Sequence, residues 1–365
     1  MVMKQLLKPS VYWFFVMIPV AIVLEKTGAK DSWIFFATAL SIIPIAKLIS
    51  ASTENLAHHT GDAIGGLLNA TFGNLPELII AVIALQAGLY DMVRASIIGA
   101  ILANLLLATG LSFFVGGLKH HSQDYNPAST RIYNSMMFIA ICSLIIPAAF
   151  GRAFGNESSF QESQRNLNVT LAISLLVAYV LYLFFMIRTH PDLFKSAGSE
   201  EAEAESGKPW SVARSIGTLV AASVGAAFMS EILVGASEGT GKELGMSSIF
   251  IGIVFIAIVG GAAESLSAIT MAAKNKVDLT MGIAMGSSIQ IALFVAPLLV
   301  IIGLFVGNGG FYLTFNRAET ATVLMAVLLM AVISGDGHSN WYKGIQLITL
   351  YVLIALLFYF IPDMQ

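Results

Sequence analysis

Charge is scarce in this sequence. Lys, Arg, Asp and Glu make up 11% of 365 residues, under half of the roughly 25% found in a soluble chain. That deficit excludes a water-soluble enzyme, and a net charge of -3 leaves no basic surface for nucleic acid. Cysteine is almost absent. Cys142, inside an apolar run, allows neither a disulfide framework nor a thiolate metal site. What is present is hydrophobic: 57% of the residues, with a mean hydropathy of +0.81. The 32 glycines fit membrane helices, whose neighbours re-satisfy disturbed backbone groups.

A hydrocarbon core about 30 Å thick needs roughly 20 apolar residues per helix. Eleven runs of that kind occur, at 10–27, 31–52, 61–88, 92–118, 129–153, 166–188, 209–237, 246–274, 277–305, 316–334 and 341–361. They are continuously apolar, whereas barrel strands alternate over about ten residues. The expected fold is therefore an all-α polytopic membrane protein of 11 transmembrane helices. The first run follows Lys4 and Lys8 like a secretory signal, but Glu25 and Lys26 after it offer no small-residue cleavage pattern, so a retained helix is expected. With the N-terminus inside, the inner segments hold Lys4, Lys8, Lys47, Lys119, Arg131, Arg188, Lys195, Lys208, Arg214, Lys274, Lys276 and Lys343, most of the basic residues. The positive-inside rule then places the N-terminus in the cytoplasm and the C-terminus outside.

One connection is plainly hydrophilic. Residues 189–208 contain GSEEAEAESGK with Glu200, Glu201, Glu203 and Glu205, and clustered like charges stay solvated. This acidic segment reads as a cytoplasmic linker between two halves.

Sliding the sequence along itself by 187 residues, the distance from Glu77 to Glu264, also brings Gly65 onto Gly252, Gly73 onto Gly260, Asp91 onto Asp278, Gly99 onto Gly286 and Gly116 onto Gly303. Five crossings separate the matched runs, and an odd number inverts the second copy. The expected organisation is an extra N-terminal helix at 1–30, a first repeat of five helices at 31–188, the linker at 189–208, and a second, inverted repeat of five at 209–365. Glu54 and Glu231 match more loosely. Glu54 to Glu77 spans 23 residues and Glu231 to Glu264 spans 33, so an outer loop of about ten residues is expected near SEGTGKELG. Inverted repeats in transporters place the substrate near the midplane.

A carboxylate at mid-membrane is costly unless paired, protonated or facing a wet cavity. Glu77 and Glu264 both lie deep in their runs, and no membrane Lys or Arg at comparable depth is evident as a partner. The expected partner is a mobile cation or a proton. Around them, TFGNLPELII and IVGGAAESLSAI break the helix: Pro76 frees the Phe72 carbonyl, while Gly260 and Gly261 loosen the matching turn and the Gly260 carbonyl. Asn74, Ser267, Asn104, Ser287, Ser288 and Gln290 add oxygen donors. Oxygen-only ligation selects hard cations, and two carboxylates suit Ca2+ better than Mg2+, which sheds its waters reluctantly. Burial favours the protonated carboxyl and a dication the ionised one, so protons and metal compete for the same groups. The expected activity is metal/proton antiport, with Ca2+ as cargo and no cofactor.

The motifs GGLLNATFGNLPELI, IVGGAAES, GSSIQIALFVAP, TGLSFFVGGLK and ISGDGHSNWYKG resemble landmarks of the calcium/proton exchangers of the calcium/cation antiporter superfamily. The likeness runs through the chain after the first helix. It implies eleven helices, an acidic connection, and export of cytosolic Ca2+ driven by inward proton flow, with Glu77 and Glu264 as central ligands and proton carriers. It also implies a bacterial or archaeal plasma membrane as the location. Gly261 and Ser265 stand where the family usually has Asn and His, and Ala100 where Ser is usual. A water or backbone carbonyl in place of the Asn would weaken Ca2+ binding.

Glu54 and Glu231, near opposite membrane faces, are expected to pass cations or protons to the centre, with Asn104 on the same pathway. His58, His59, His120 and His121 fall in expected inner loops. The expected partners are Ca2+, H+ and the lipid bilayer, and self-association into a homo-oligomer stays open. Rival readings are a sodium-coupled calcium exchanger, a cation channel and an intramembrane carboxylate enzyme. The helix breaks flanked by Ser, Asn and Gln donors favour transport over catalysis.

Overall fold

The computed structural model describes residues 10–154, 160–194, 210–306 and 310–361. Each apolar run is met by helix. A 3-10 turn at Val11–Val16 leads into α1 (Met17–Lys26), followed by α2 (Asp31–Phe72), α3 (Leu75–Gln86), α4 (Tyr90–His120), α5 (Pro127–Phe154) and α6 (Phe160–Thr189). After the linker come α7 (Val212–Leu244), α8 (Ser248–Gly260), α9 (Ala262–Ala273), α10 (Val277–Gly303), α11 (Arg317–Ser334) and α12 (Trp341–Tyr359). Among the described residues, eight spans are long and apolar enough to cross a membrane, and nine if α8 and α9, bent by 59°, count as one. Most of the acidic linker, with all its glutamates, lies outside the described residues.

Side-chain contacts sort the connections onto two ends. At one end, which we call the linker end, Trp210 N donates to Asn55 Oδ1, Asn126 N to Asp278 Oδ1, and Asn126 Nδ2 to the Leu193 carbonyl. A two-stranded antiparallel ribbon, β1 (Ser122–Asp124) with β2 (His338–Asn340), ties the α4–α5 and α11–α12 connections together there. Gln123 Nε2 donates to the Ala272 carbonyl and to Asn275 Oδ1. At the opposite end, Ser32 N donates to Glu243 Oε2 and Arg94 Nη1 to the Tyr312 carbonyl. Polar loop contacts gathered at two ends, with apolar helix between, suit a bilayer that cannot satisfy stray backbone groups. Val180, Leu181, Val224 and Val332 are each more than 60% exposed, as lipid-facing side chains are.

Three expectations are corrected. No loop separates the second and third runs; helical hydrogen bonding continues through 52–61, and the chain turns back inside α2. A Cβ on Gly65 would lie 2.8 Å from the Ala57 carbonyl oxygen, whereas eight residues of straight helix rise about 12 Å. His58 and His59 are therefore helical. His120 likewise ends α4, and only His121 caps it with a φ of 61°. The extra residues near SEGTGKELG form no outer loop, because α7 runs helically to Leu244 and stops at Gly245 in the left-handed region.

The most buried helices are α4 and α10, and both contain π-helical turns, at Ala103–Ala108 and Ile291–Val295. Such turns widen a helix locally and frequently occur at functional sites. Helix α8 has one too, at Ile251–Ile256. Its contact with α4 is close at two places. A Cβ on Gly99 would run into the Ile253 carbonyl oxygen, and one on Gly252 would fall 2.8 Å from the Ala95 Cβ.

Candidate cation site

Both glutamates sit at the same place in a broken helix. Asn74 caps α3 and Gly261 caps α9, so Glu77 and Glu264 each occupy the third helical position, in the first turn. Pro76 at the second position of α3 needs no hydrogen-bond acceptor there. The N-terminal dipole favours an anion by about 0.3–1 kcal/mol, less than the roughly 3 kcal/mol that a central charge costs. The balance must come from a counter-charge or a proton. Glu77 Oε1 and Oε2 and Glu264 Oε2 are sealed from solvent with no hydrogen-bond partner among the described residues.

The two sites meet across the halves. The Gly260 Cα faces the Glu77 side chain, and a Cβ there would lie 2.9 Å from Glu77 Cγ. The Cβ position of Gly261 is bordered by Asn104 Oδ1 at 3.5 Å and Glu77 Oε1 at 3.6 Å. A polar relay then crosses the centre: Asn104 Nδ2 donates to Ser287 Oγ at 3.1 Å, and Ser287 Oγ donates to Asn74 Oδ1 at 2.6 Å. Asn74 and Asn104 are 2% exposed. Because Ser287 gives its proton to Asn74, its oxygen must accept from Asn104, which leaves Asn104 Oδ1 facing Gly261 and Glu77. An amide from α4 thus borders the place that a side chain at 261 would fill.

A cavity of about 230 Å³ lies on the linker-end side. Glu54, Asn74, Glu264, Ser267, Ser287 and Gln290 line it, together with Tyr133, Tyr179 and Tyr182. Gln290 Nε2 is buried with no hydrogen-bond partner among the described residues. On the other side, Glu77 borders a void of about 20 Å³ lined by Ser96, Ala100 and apolar residues, room for about one water. Phe72 and Gly260 end their helical stretches, so their carbonyls belong to half-helix C-termini, where acceptors lack helical donors.

Other expected site residues are placed elsewhere. Ser288 is fully buried, its hydroxyl donates to the Ala284 carbonyl in its own helix, and it is not among the residues lining the central cavity. Glu231 sits on an exposed stripe of α7 with Val220, Val224 and Phe228, away from the lining of the central cavity. Asn104 belongs to the centre rather than to an outer pathway. Lys47 is half-buried on α2, seven residues before Glu54. The three cavity tyrosines were missed, because a Tyr in an apolar run reads as core.

Comparison with known proteins agrees with this architecture. The description "Sodium/calcium exchanger protein" fits residues 31–188 and 214–360. The chain is 40% identical to the Ca2+/H+ antiporter ChaA of Bacillus subtilis, over 95% of this chain and 98% of that one. It is 37% identical to a Ca2+/H+ antiporter of Synechocystis, over 95% and 96%. The solved structure of native YfkE superposes with a TM-score of 0.81 at 38% identity, covering 95% of this chain and all of that one. A structure of the H+/Ca2+ exchanger CAX, 14% identical with a TM-score of 0.64 over 96% and 91%, shares the fold. The chain belongs to the sodium/calcium exchanger family.

Proposed function

We propose that the protein is a secondary active antiporter that exchanges cytosolic Ca2+ for external H+ by alternating access. The observation that carries this reading is the pair of first-turn glutamates, Glu77 and Glu264, with buried oxygens lacking protein partners beside a cavity on one side only. The antiporter names of relatives at 37–40% identity support it.

In this reading eleven helices cross the bilayer, as an extra first helix and inverted repeats at 31–188 and 209–365. The linker end is cytoplasmic, the N-terminus is cytoplasmic and the C-terminus is outside. Glu77 and Glu264 hold either protons or a share of Ca2+. Asn74, Asn104, Ser287, Gln290 and the carbonyls of Phe72 and Gly260 complete the oxygen set. Glu54 passes ions between the linker end and Glu264, while Glu231 serves the opposite end in the alternate state.

The test is Ca2+ flux in proteoliposomes under an imposed pH gradient without sodium. Uphill Ca2+ movement that stops with a protonophore is the expected result. Flux recovered only with sodium would instead mean a sodium-coupled exchanger, and downhill flux alone would mean a channel. A second prediction concerns Gly260→Ala. The added methyl must displace Glu77 Cγ from 2.9 Å, pushing the carboxylate off its position. The half-saturating Ca2+ concentration should rise by about tenfold, equivalent to about 1.4 kcal/mol, in flux titrations of protein with normal yield.

A further inference from the structure

The cavity has a second wall, and the antiport reading gives it no part. Tyr133 from α5 and Tyr182 from α6 line it with 6% and 7% of their surfaces exposed. Their rings are packed: Tyr133 lies 5.5 Å from Phe194, and Tyr182 lies 6.4 Å from Tyr179, which stacks on Phe294. Their hydroxyls are another matter. Among the described residues neither has a hydrogen-bond partner, and neither is sealed off as the Tyr351 hydroxyl is. The Tyr133 hydroxyl lies 3.6 Å from the Cβ position of Gly282, on the cavity lining. Buried tyrosines usually place their O–H on a partner, so the partner of these two comes from the cavity.

We propose that Tyr133 and Tyr182 form a neutral hydroxyl wall that holds the hydration shell of the divalent cation entering from the linker end. Water bound to a dication is a strong donor, and a phenol oxygen accepts from it without adding charge. Glu54, Glu264 and Ser267 face the same cavity and take the ion as its waters leave. A wall that grips the waters eases this exchange but does not trap the metal, as a third carboxylate would. The wall is one-sided. No tyrosine lines the void beside Glu77; α11, the expected counterpart of α5, contains none, and in α12, the expected counterpart of α6, the buried Tyr351 has its hydroxyl sealed away from any cavity.

The inference rests on the antiport reading, and one experiment separates the two. Full-length protein and the variants Tyr133→Phe, Tyr182→Phe and the double variant are reconstituted in liposomes of known orientation. Half-saturating Ca2+ is measured from each face under a pH gradient. Phenylalanine keeps the ring, so melting temperatures identify any variant that is merely misfolded. The ratio of linker-face to opposite-face half-saturation should rise on the order of tenfold in the double variant, the scale of lost hydrogen bonds to a charged group, with each single variant in between. An unchanged ratio, including an equal rise at both faces, overturns the inference while leaving antiport intact. Absence of proton-driven Ca2+ flux in the unaltered protein overturns the antiport reading, and the wall falls with it.

Discussion

Glu77→Gln and Glu264→Gln should each lower proton-driven Ca2+ flux by at least about a hundredfold while leaving the protein folded. Glutamine preserves the shape of the side chain and removes a buried charge. Among the described residues the three sealed carboxylate oxygens have no hydrogen-bond donor to lose, so stability should hold or improve. Transport loses more. A charge-assisted contact of about 3 kcal/mol corresponds to roughly a hundredfold in affinity, and an amide carries no exchangeable proton to complete the cycle. The two variants should also differ. Glu264 faces the cavity at the linker end, whereas Glu77 borders the small void on the other side. Equilibrium Ca2+ binding by the linker-open state should therefore suffer more from Glu264→Gln. Calorimetric titration together with flux checks this, and normal exchange by either variant would sink the two-carboxylate mechanism.

Gly99→Ala should destabilise the protein, while Gly286→Ala, at the matching position of the second half, should leave stability unharmed but slow turnover. On Gly99 a Cβ runs into the Ile253 carbonyl oxygen, a backbone atom that cannot swing aside, whereas among the described residues nothing lies within 4 Å of the Cβ position on Gly286. Overpacking of this kind costs typically about 1–3 kcal/mol. Alanine in an open helix interior instead gains up to about 1 kcal/mol over glycine. The close approaches of Gly99 to Ile253 and of Gly252 to Ala95 keep α4 against α8, and the cavity at Gly286 keeps the other side open. Under the proposed alternating access, closing the linker end requires the space at Gly286. Thermal unfolding and flux on the two variants measure the contrast. Equal melting temperatures would show that the α4–α8 contact yields easily, and normal turnover in Gly286→Ala would show that closure uses another surface.

Much of the site was legible before any coordinates. Glu77 and Glu264 stand out because membrane carboxylates are rare and costly, and Pro76 and the Gly260–Gly261 pair mark breaks through backbone chemistry alone. Other features were not. Ser288 and Ser287 are adjacent and chemically alike, yet one bonds back to Ala284 and the other joins Asn104 to Asn74. Only the rotation of α10 separates them. The polar residues at 52–61 resemble a loop, while their backbone stays helical and the chain reverses between Ala57 and Gly65.

Composition and periodic apolar runs alone determined that this chain is a helical membrane protein, where its helices lie, and which two carboxylates need an unusual partner. These follow from hydrocarbon thickness and from the cost of burying charge, which act on each segment by itself. Tertiary structure alone decided that Asn104 borders Gly261, that three tyrosines wall the cavity, and that the cavity lies on the linker-end side. Those depend on how distant helices rotate and pack against one another, and a segment read alone carries no record of its neighbours.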